Sequence, residues 1–101
     1  MGTLGTLDKE KASRLDLRGA FVRKTDLSHA NLNKANLSRA DLSGAVLRGA
    51  NLKDANLFRT ILKGADLREA RNLTIDQLSE AIIDRRTLLP EYIQRSKVKR
   101  K

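Results

Sequence analysis

The sequence predicts an all-β solenoid, a chain wound into stacked coils, and three observations lead there. From Leu15 to Glu69 the chain divides into eleven consecutive five-residue units without an insertion. The third place of the unit is Leu ten times and Val once, and the first place is Ala eight times, with Thr at Thr25 and Thr60. Aromatic residues are scarce, with only Phe21, Phe58 and Tyr92 in 101 residues, so an ordinary globular core of this size is not expected.

A period of five excludes both regular elements as the whole explanation. On a helix, residues five apart lie about 140° around the axis, which would spread the leucines over the entire surface. On a flat strand they would alternate between faces. The period works if each unit is one side of a coil that turns a corner every five residues. The third place then points to the axis and supplies the core: Leu17, Val22, Leu27, Leu32, Leu37, Leu42, Leu47, Leu52, Leu57, Leu62 and Leu67. The small first place points inward near the corner. The second, fourth and fifth places face out, which accounts for their polarity. Backbone hydrogen bonds between coils would satisfy the interior amides.

The units read LDLRG, AFVRK, TDLSH, ANLNK, ANLSR, ADLSG, AVLRG, ANLKD, ANLFR, TILKG and ADLRE. This pattern resembles the pentapeptide-repeat family, whose consensus is A(D/N)LXX. The resemblance implies a right-handed quadrilateral β-helix with four units per coil, hence just under three coils here, with a C-terminal capping α-helix. The implied inward stacks are Leu17/Leu37/Leu57, Val22/Leu42/Leu62, Leu27/Leu47/Leu67 and Leu32/Leu52.

The flanks complete the domain plan: a partial N-terminal cap over 1–14, the β-helix over 15–74, a helix and anchor over 75–93, and a basic disordered tail over 94–101. Asn72 stands where a central Leu is due, and Thr74 three residues before Gln77 forms a capping-box pattern. Ile75, Leu78 and Ile82 follow at helical spacing, so an amphipathic helix is expected over 75–86, covering the end left by Leu57, Leu62 and Leu67. Pro90 disfavours helix before it, and Tyr92 and Ile93 are a last apolar anchor. Residues 1–14, with Leu4, Leu7 and a short charged stretch, offer only a thin cover for the other end. That coil end is therefore a candidate for capping by homodimerisation or by another protein.

The formal net charge is +9. Residues 15–69 carry ten basic and six acidic groups, and residues 90–101 carry five and one. Such a balance favours anionic partners. Cysteine is absent, so disulfides and thiolate metal sites are excluded. No apolar run is long enough to cross a membrane and no signal-peptide stretch is seen, so the expected location is cytoplasmic.

No catalytic, cofactor-binding or metal residues are expected. His29 is the single histidine, at an outward fifth place, without a second ligand beside it. Asp16, Asp26, Asp41 and Asp66 share the second place with Asn31, Asn36, Asn51 and Asn56. Free interchange of Asp with Asn points to turn hydrogen bonding and not to proton transfer. The outward apolar exceptions are the candidate interface: Phe21, Val46 and Ile61 at the second place and Phe58 at the fourth. Either a partner covers them or the Leu88–Ile93 segment folds back over them. Arg95, Lys97, Lys99, Arg100 and Lys101 form the candidate anion-binding tail for nucleic acid or anionic membrane.

The expected function is a non-enzymatic structural or protein-interaction module with an unidentified protein partner and no small-molecule substrate. The alternative is a nucleic-acid-binding accessory protein using the basic faces and tail. The resemblance also brings in regulation of type II topoisomerases by DNA mimicry, but that role is attributed to a long acidic rod, and this chain is short and basic.

Overall fold

The structure, a computed structural model, describes residues 15–99. The expected partial cap over 1–14 and the tail cations Arg100 and Lys101 lie outside the described residues.

Each unit contributes one bridging residue to a parallel ladder, and it is always the second place. Asp16 pairs with Asn36, Phe21 with Asp41, Asp26 with Val46 and Asn31 with Asn51. Partners stand four units apart, so four units make one coil and the four second places define four faces. Around each pair the backbone bonds reciprocally: the Leu17 amide donates to the Asn36 carbonyl at 2.8 Å, and the Asn36 amide donates to the Leu15 carbonyl at 2.8 Å. These bonds run between coils and satisfy backbone groups that the apolar interior cannot.

The corners are made by the fourth and fifth places. The first-place amide of the next unit closes the turn, as where Ala20 donates to the Leu17 carbonyl at 3.0 Å. Every fifth place has positive φ, from 53° at Lys24 to 71° at Gly49. This is the sign pattern of a type II turn, which requires positive φ at its third residue. Glycine fills the place at Gly19, Gly44, Gly49 and Gly64, but Lys24, His29, Lys34, Arg39, Asp54, Arg59 and Glu69 adopt the same conformation.

The second place explains the Asp/Asn interchange. Its side-chain oxygen accepts a hydrogen bond from the amide two residues on, as Asn36 does from Ser38 at 3.1 Å and Asp41 from Ser43 at 3.0 Å. The same bond forms at Asp16, Asp26, Asn31, Asn51, Asn56 and Asp66. Carboxylate and amide both offer that oxygen, so either residue serves.

The third-place leucines from Leu32 to Leu67 are buried, together with the first-place alanines from Ala35 to Ala65. Leu17, Val22 and Leu27 are half-buried and pack against this cluster. Thr60, at a first place, is fully buried and donates its hydroxyl to the Leu37 carbonyl at 2.7 Å.

After Arg71 the chain departs from the repeat. Helix α1 spans Ile75–Glu80, with Thr74 Oγ1 accepting from the Gln77 amide and the Gln77 side chain accepting from the Thr74 amide. Leu78 is fully buried. The Gln77 side chain also donates to the carbonyls of Leu52 at 2.8 Å and Ala55 at 3.0 Å. The helix expected over 75–86 is therefore shortened, and Ile82 is not on its stripe. Ile82 pairs with Ile61, and Leu88 pairs with Asp66, at offsets one and two residues longer than the repeat. The physical reason lies in the last regular coil. The amides of Leu62 and Leu67 need acceptors, and the carbonyls of Ile82 and Leu88 supply them at 2.8 and 2.7 Å. Extending the helix to 86 would take Ile82 out of the ladder and leave the Leu62 amide without its partner.

The tail expected to be disordered from 94 is placed as far as Lys99. Arg95–Lys97 forms a 3-10 turn, Val98 is 7% exposed, and the Lys99 amide donates to Ser79 Oγ at 3.0 Å. Arg95 donates to the carbonyls of Asp84 and Thr87. One buried apolar side chain and these carbonyl contacts offset the ordering of a short basic segment.

Candidate functional site

The four candidate interface residues divide by exposure. Phe21 is 79% exposed and Phe58 is 41% exposed, while Val46 and Ile61 are half-buried. The ladder places Phe21, Asp41, Ile61 and Ile82 in one column, so Phe21 and Ile61 share a face with Asp41 between them. Val46 belongs to the next face, with Asp26, Asp66 and Leu88. The structure thus does not gather all four into one patch. Phe58 holds the Arg39 guanidinium over its ring, 5.2 Å from the centroid, a contact that favours the cation on the π face.

The Leu88–Ile93 segment does not fold back over these residues. Leu88 continues the ladder beside Asp66, the Tyr92 hydroxyl donates to the Ala70 carbonyl, and it accepts from the Leu73 amide at 3.2 Å. The segment wraps the last coil, leaving Leu88 and Tyr92 themselves exposed.

The three residues expected in the C-terminal cap take different places: Leu78 is in the core, Ile75 is half-buried against it, and Ile82 bridges to Ile61. Of the tail cations, Arg95 is engaged with backbone carbonyls, and Lys97 and Lys99 are exposed.

The second-place carboxylates are all held below their ordinary range. The Arg18 guanidinium does this for Asp16, the Ser28 hydroxyl for Asp26, the Ser43 hydroxyl for Asp41 and the Arg68 guanidinium for Asp66. Groups held ionised by turn contacts are structural acceptors, poorly suited to general acid work. His29 sits at a corner with φ 62°, and its imidazole lies across Gly49, where a Cβ would overlap it. Among the described residues no three His, Cys, Asp or Glu side chains gather where they could hold a metal ion. No helix among them is long and apolar enough to cross a membrane.

Sequence reasoning missed a basic groove of about 400 Å³ at one corner, where Arg23, Lys24, Lys63 and Arg86 converge. The coil register aligns Arg23 with Lys63, so part of the signal was available. Arg86 reaches the groove from the longer unit after α1, which no five-residue register could place.

Five-residue units, four-unit coils and ladder pairing at every second place define a four-sided β-solenoid. The family model for pentapeptide repeats matches residues 13–49 and 35–71, with eight copies. The chain belongs to the pentapeptide-repeat family, whose members form right-handed quadrilateral β-helices and are generally structural or interaction modules. It is similar to the crystal structure of alr5209, a pentapeptide repeat protein from Nostoc Pcc 7120. That match has 32% sequence identity and a TM-score of 0.55, and covers 94% of this chain and 91% of the other. No curated protein matches the chain.

Proposed function

We propose that this chain is a non-enzymatic protein-interaction module: a β-helix of just under three regular coils, closed at its C-terminal end by α1 and the turns after it, working in a bacterial cytoplasm. The observation that carries the reading is Phe21. It is 79% exposed at a second place, where eight of the eleven units put Asp or Asn. Aromatic residues, Phe among them, are enriched at protein interfaces relative to the rest of the surface. A scaffold whose second place is mostly polar but which displays Phe21 there, with Phe58 exposed on the neighbouring face, has the makings of such an anchor. The bacterial setting is supported by the similarity to the Nostoc protein.

The test is Phe21→Asn. Asn restores the repeat and can cap the Arg23 amide, so folding should hold. A photo-crosslinking residue at position 23 should capture one protein partner, or a second copy of the chain, and Phe21→Asn should abolish that capture. Equal capture by native and Phe21→Asn chains would refute the interface. Capture of nucleic acid in place of protein would refute the module reading itself.

A further inference from the structure

We propose that the groove at the corner after the Phe21–Ile61 column binds a small phosphate-bearing anion such as pyrophosphate. The groove spans three rungs of the solenoid. Arg23 and Lys24 stand on the first, Ser43 and Gly44 on the second, Lys63 and Gly64 on the third, and Arg86 closes it from beyond α1. Rungs are spaced by roughly 4.8 Å, so Arg23 and Lys63 are about 10 Å apart along the axis. The middle rung carries only the short side chain of Ser43 and none at Gly44. The result is an alcove floored by small residues and bounded at both ends by cations.

Backbone need alone does not fix its shape. Seven corners in this chain take positive φ without glycine, from Lys24 to Glu69. Positive φ thus favours glycine at Gly44 and Gly64 without requiring it. What they contribute is the missing side chain. A Cβ at Gly64 would meet nothing within 4 Å, so there is room for a ligand above it, while the Gly64 amide itself is taken by Asp84 Oδ1 at 3.0 Å. A Cβ at Gly44 would lie 3.2 Å from Lys24 Cγ, so the Lys24 chain runs across the middle rung.

Charge agrees with shape. Two carboxylates border the groove: Asp41 lies 3.9 Å from Arg23, and Asp84 lies 3.7 Å from Arg86. Lys24 and Lys63 have no ion-pair partner among the described residues, so the cations exceed the carboxylates by two. The Asp41 carboxylate is itself turned to Ser43, whose hydroxyl donates to it at 2.6 Å. The column beside the groove adds a further feature. Phe21 and Ile61 replace the residues that elsewhere accept from the fourth-place amide. The amides of Arg23 and Lys63 consequently have no acceptor among the described residues, whereas Ser43 has Asp41. Two cationic residues on the groove's rim thus also carry uncapped backbone donors, the combination that suits a multiply charged oxyanion.

The experiment is calorimetric titration of the full chain with pyrophosphate, inorganic phosphate and a short single-stranded oligonucleotide. Saturable one-to-one pyrophosphate binding is expected, weaker for inorganic phosphate. Gly64→Glu puts a carboxylate on the floor in a conformation that Glu69 already adopts, and it should weaken binding by about tenfold or more. Lys63→Gln should weaken it comparably. Gly19→Glu, at another corner with equally open space, makes the same change in net charge and should leave affinity within about twofold. Should Gly64→Glu fail to fold, Lys63→Gln against Gly19→Glu decides. Absence of saturable pyrophosphate binding at low salt, or equal weakening by Gly19→Glu, overturns the site. Binding of the oligonucleotide without pyrophosphate binding also overturns it, in favour of a nucleic-acid surface.

Discussion

Removing one second-place acceptor isolates the bond that shapes every corner. Asn36 Oδ1 accepts from the Ser38 amide at 3.1 Å and from the Ser38 hydroxyl at 2.9 Å. A net intramolecular hydrogen bond is worth about 0.5–1.5 kcal/mol. The site is half-buried, and water can replace the hydroxyl contact more easily than the amide contact. Asn36→Ala should therefore cost about 1–1.5 kcal/mol, or roughly 5–10 °C in melting temperature for a domain of this size. Asn36→Asp keeps the accepting oxygen, in the arrangement that Asp41 and Ser43 already show, and should change stability by less than about 0.5 kcal/mol. Urea unfolding followed by circular dichroism measures both, provided the slopes with denaturant match. If Asn36→Ala is as stable as the native chain, or if Asn36→Asp falls as far as Asn36→Ala, the acceptor role is wrong.

Other expectations follow from the same geometry. Leu42 is fully buried in the stack between Val22 and Leu62, so Leu42→Ala should cost about 3 kcal/mol or more in urea unfolding, and a loss under about 1 kcal/mol would contradict the inward stack. Asp26, Asp41 and Asp66 have folded pKa values below their ordinary 3.8, so their contribution is present above that value and is lost as pH falls through it toward the folded pKa. Replacing all three by Asn keeps the acceptors and should flatten the fall in urea midpoint between about pH 5 and pH 2; an unchanged slope would refute the linkage. A Cβ at Gly49 overlaps the His29 imidazole, so Gly49→Ala should be milder by about 0.5 kcal/mol in a His29→Ala background than in the native one. Additive behaviour in that double-mutant cycle would show that His29 does not occupy the space.

The periodic part of the chain was open to reading because each place in the unit has one physical task. An inward Leu, a small neighbour and an interchangeable Asp or Asn are each visible as a residue class. The corner conformation was not, because only Gly19, Gly44, Gly49 and Gly64 advertise positive φ while lysines, arginines and acids share it. After Arg71 two grammars compete. Thr74 and Gln77 mark the start of α1 plainly, but Ile82 lies at helical spacing from Ile75 and Leu78 and also in Ala81-Ile82-Ile83, which has the form of a repeat unit. Thr87-Leu88-Leu89 has that form as well. Local pattern does not arbitrate between them; the acceptors needed by Leu62 and Leu67 do. Val98, alone among basic residues, gave no periodic sign of its burial. The basic groove eluded sequence reading for a related reason, since it joins rungs through a unit one residue longer than the rest.

The left-handed corners carry a consequence for how this surface evolves. A side chain other than glycine in that conformation is disfavoured by about 1 kcal/mol or more. Drift alone should push such positions toward glycine or asparagine, the residues that suffer least there. Lys24, His29, Lys34, Arg39, Asp54, Arg59 and Glu69 stand against that drift, whereas a fourth-place charge meets no comparable pressure. In descendants of this gene, persistence of a charge at a corner would therefore be stronger testimony to selection than the same charge one residue earlier.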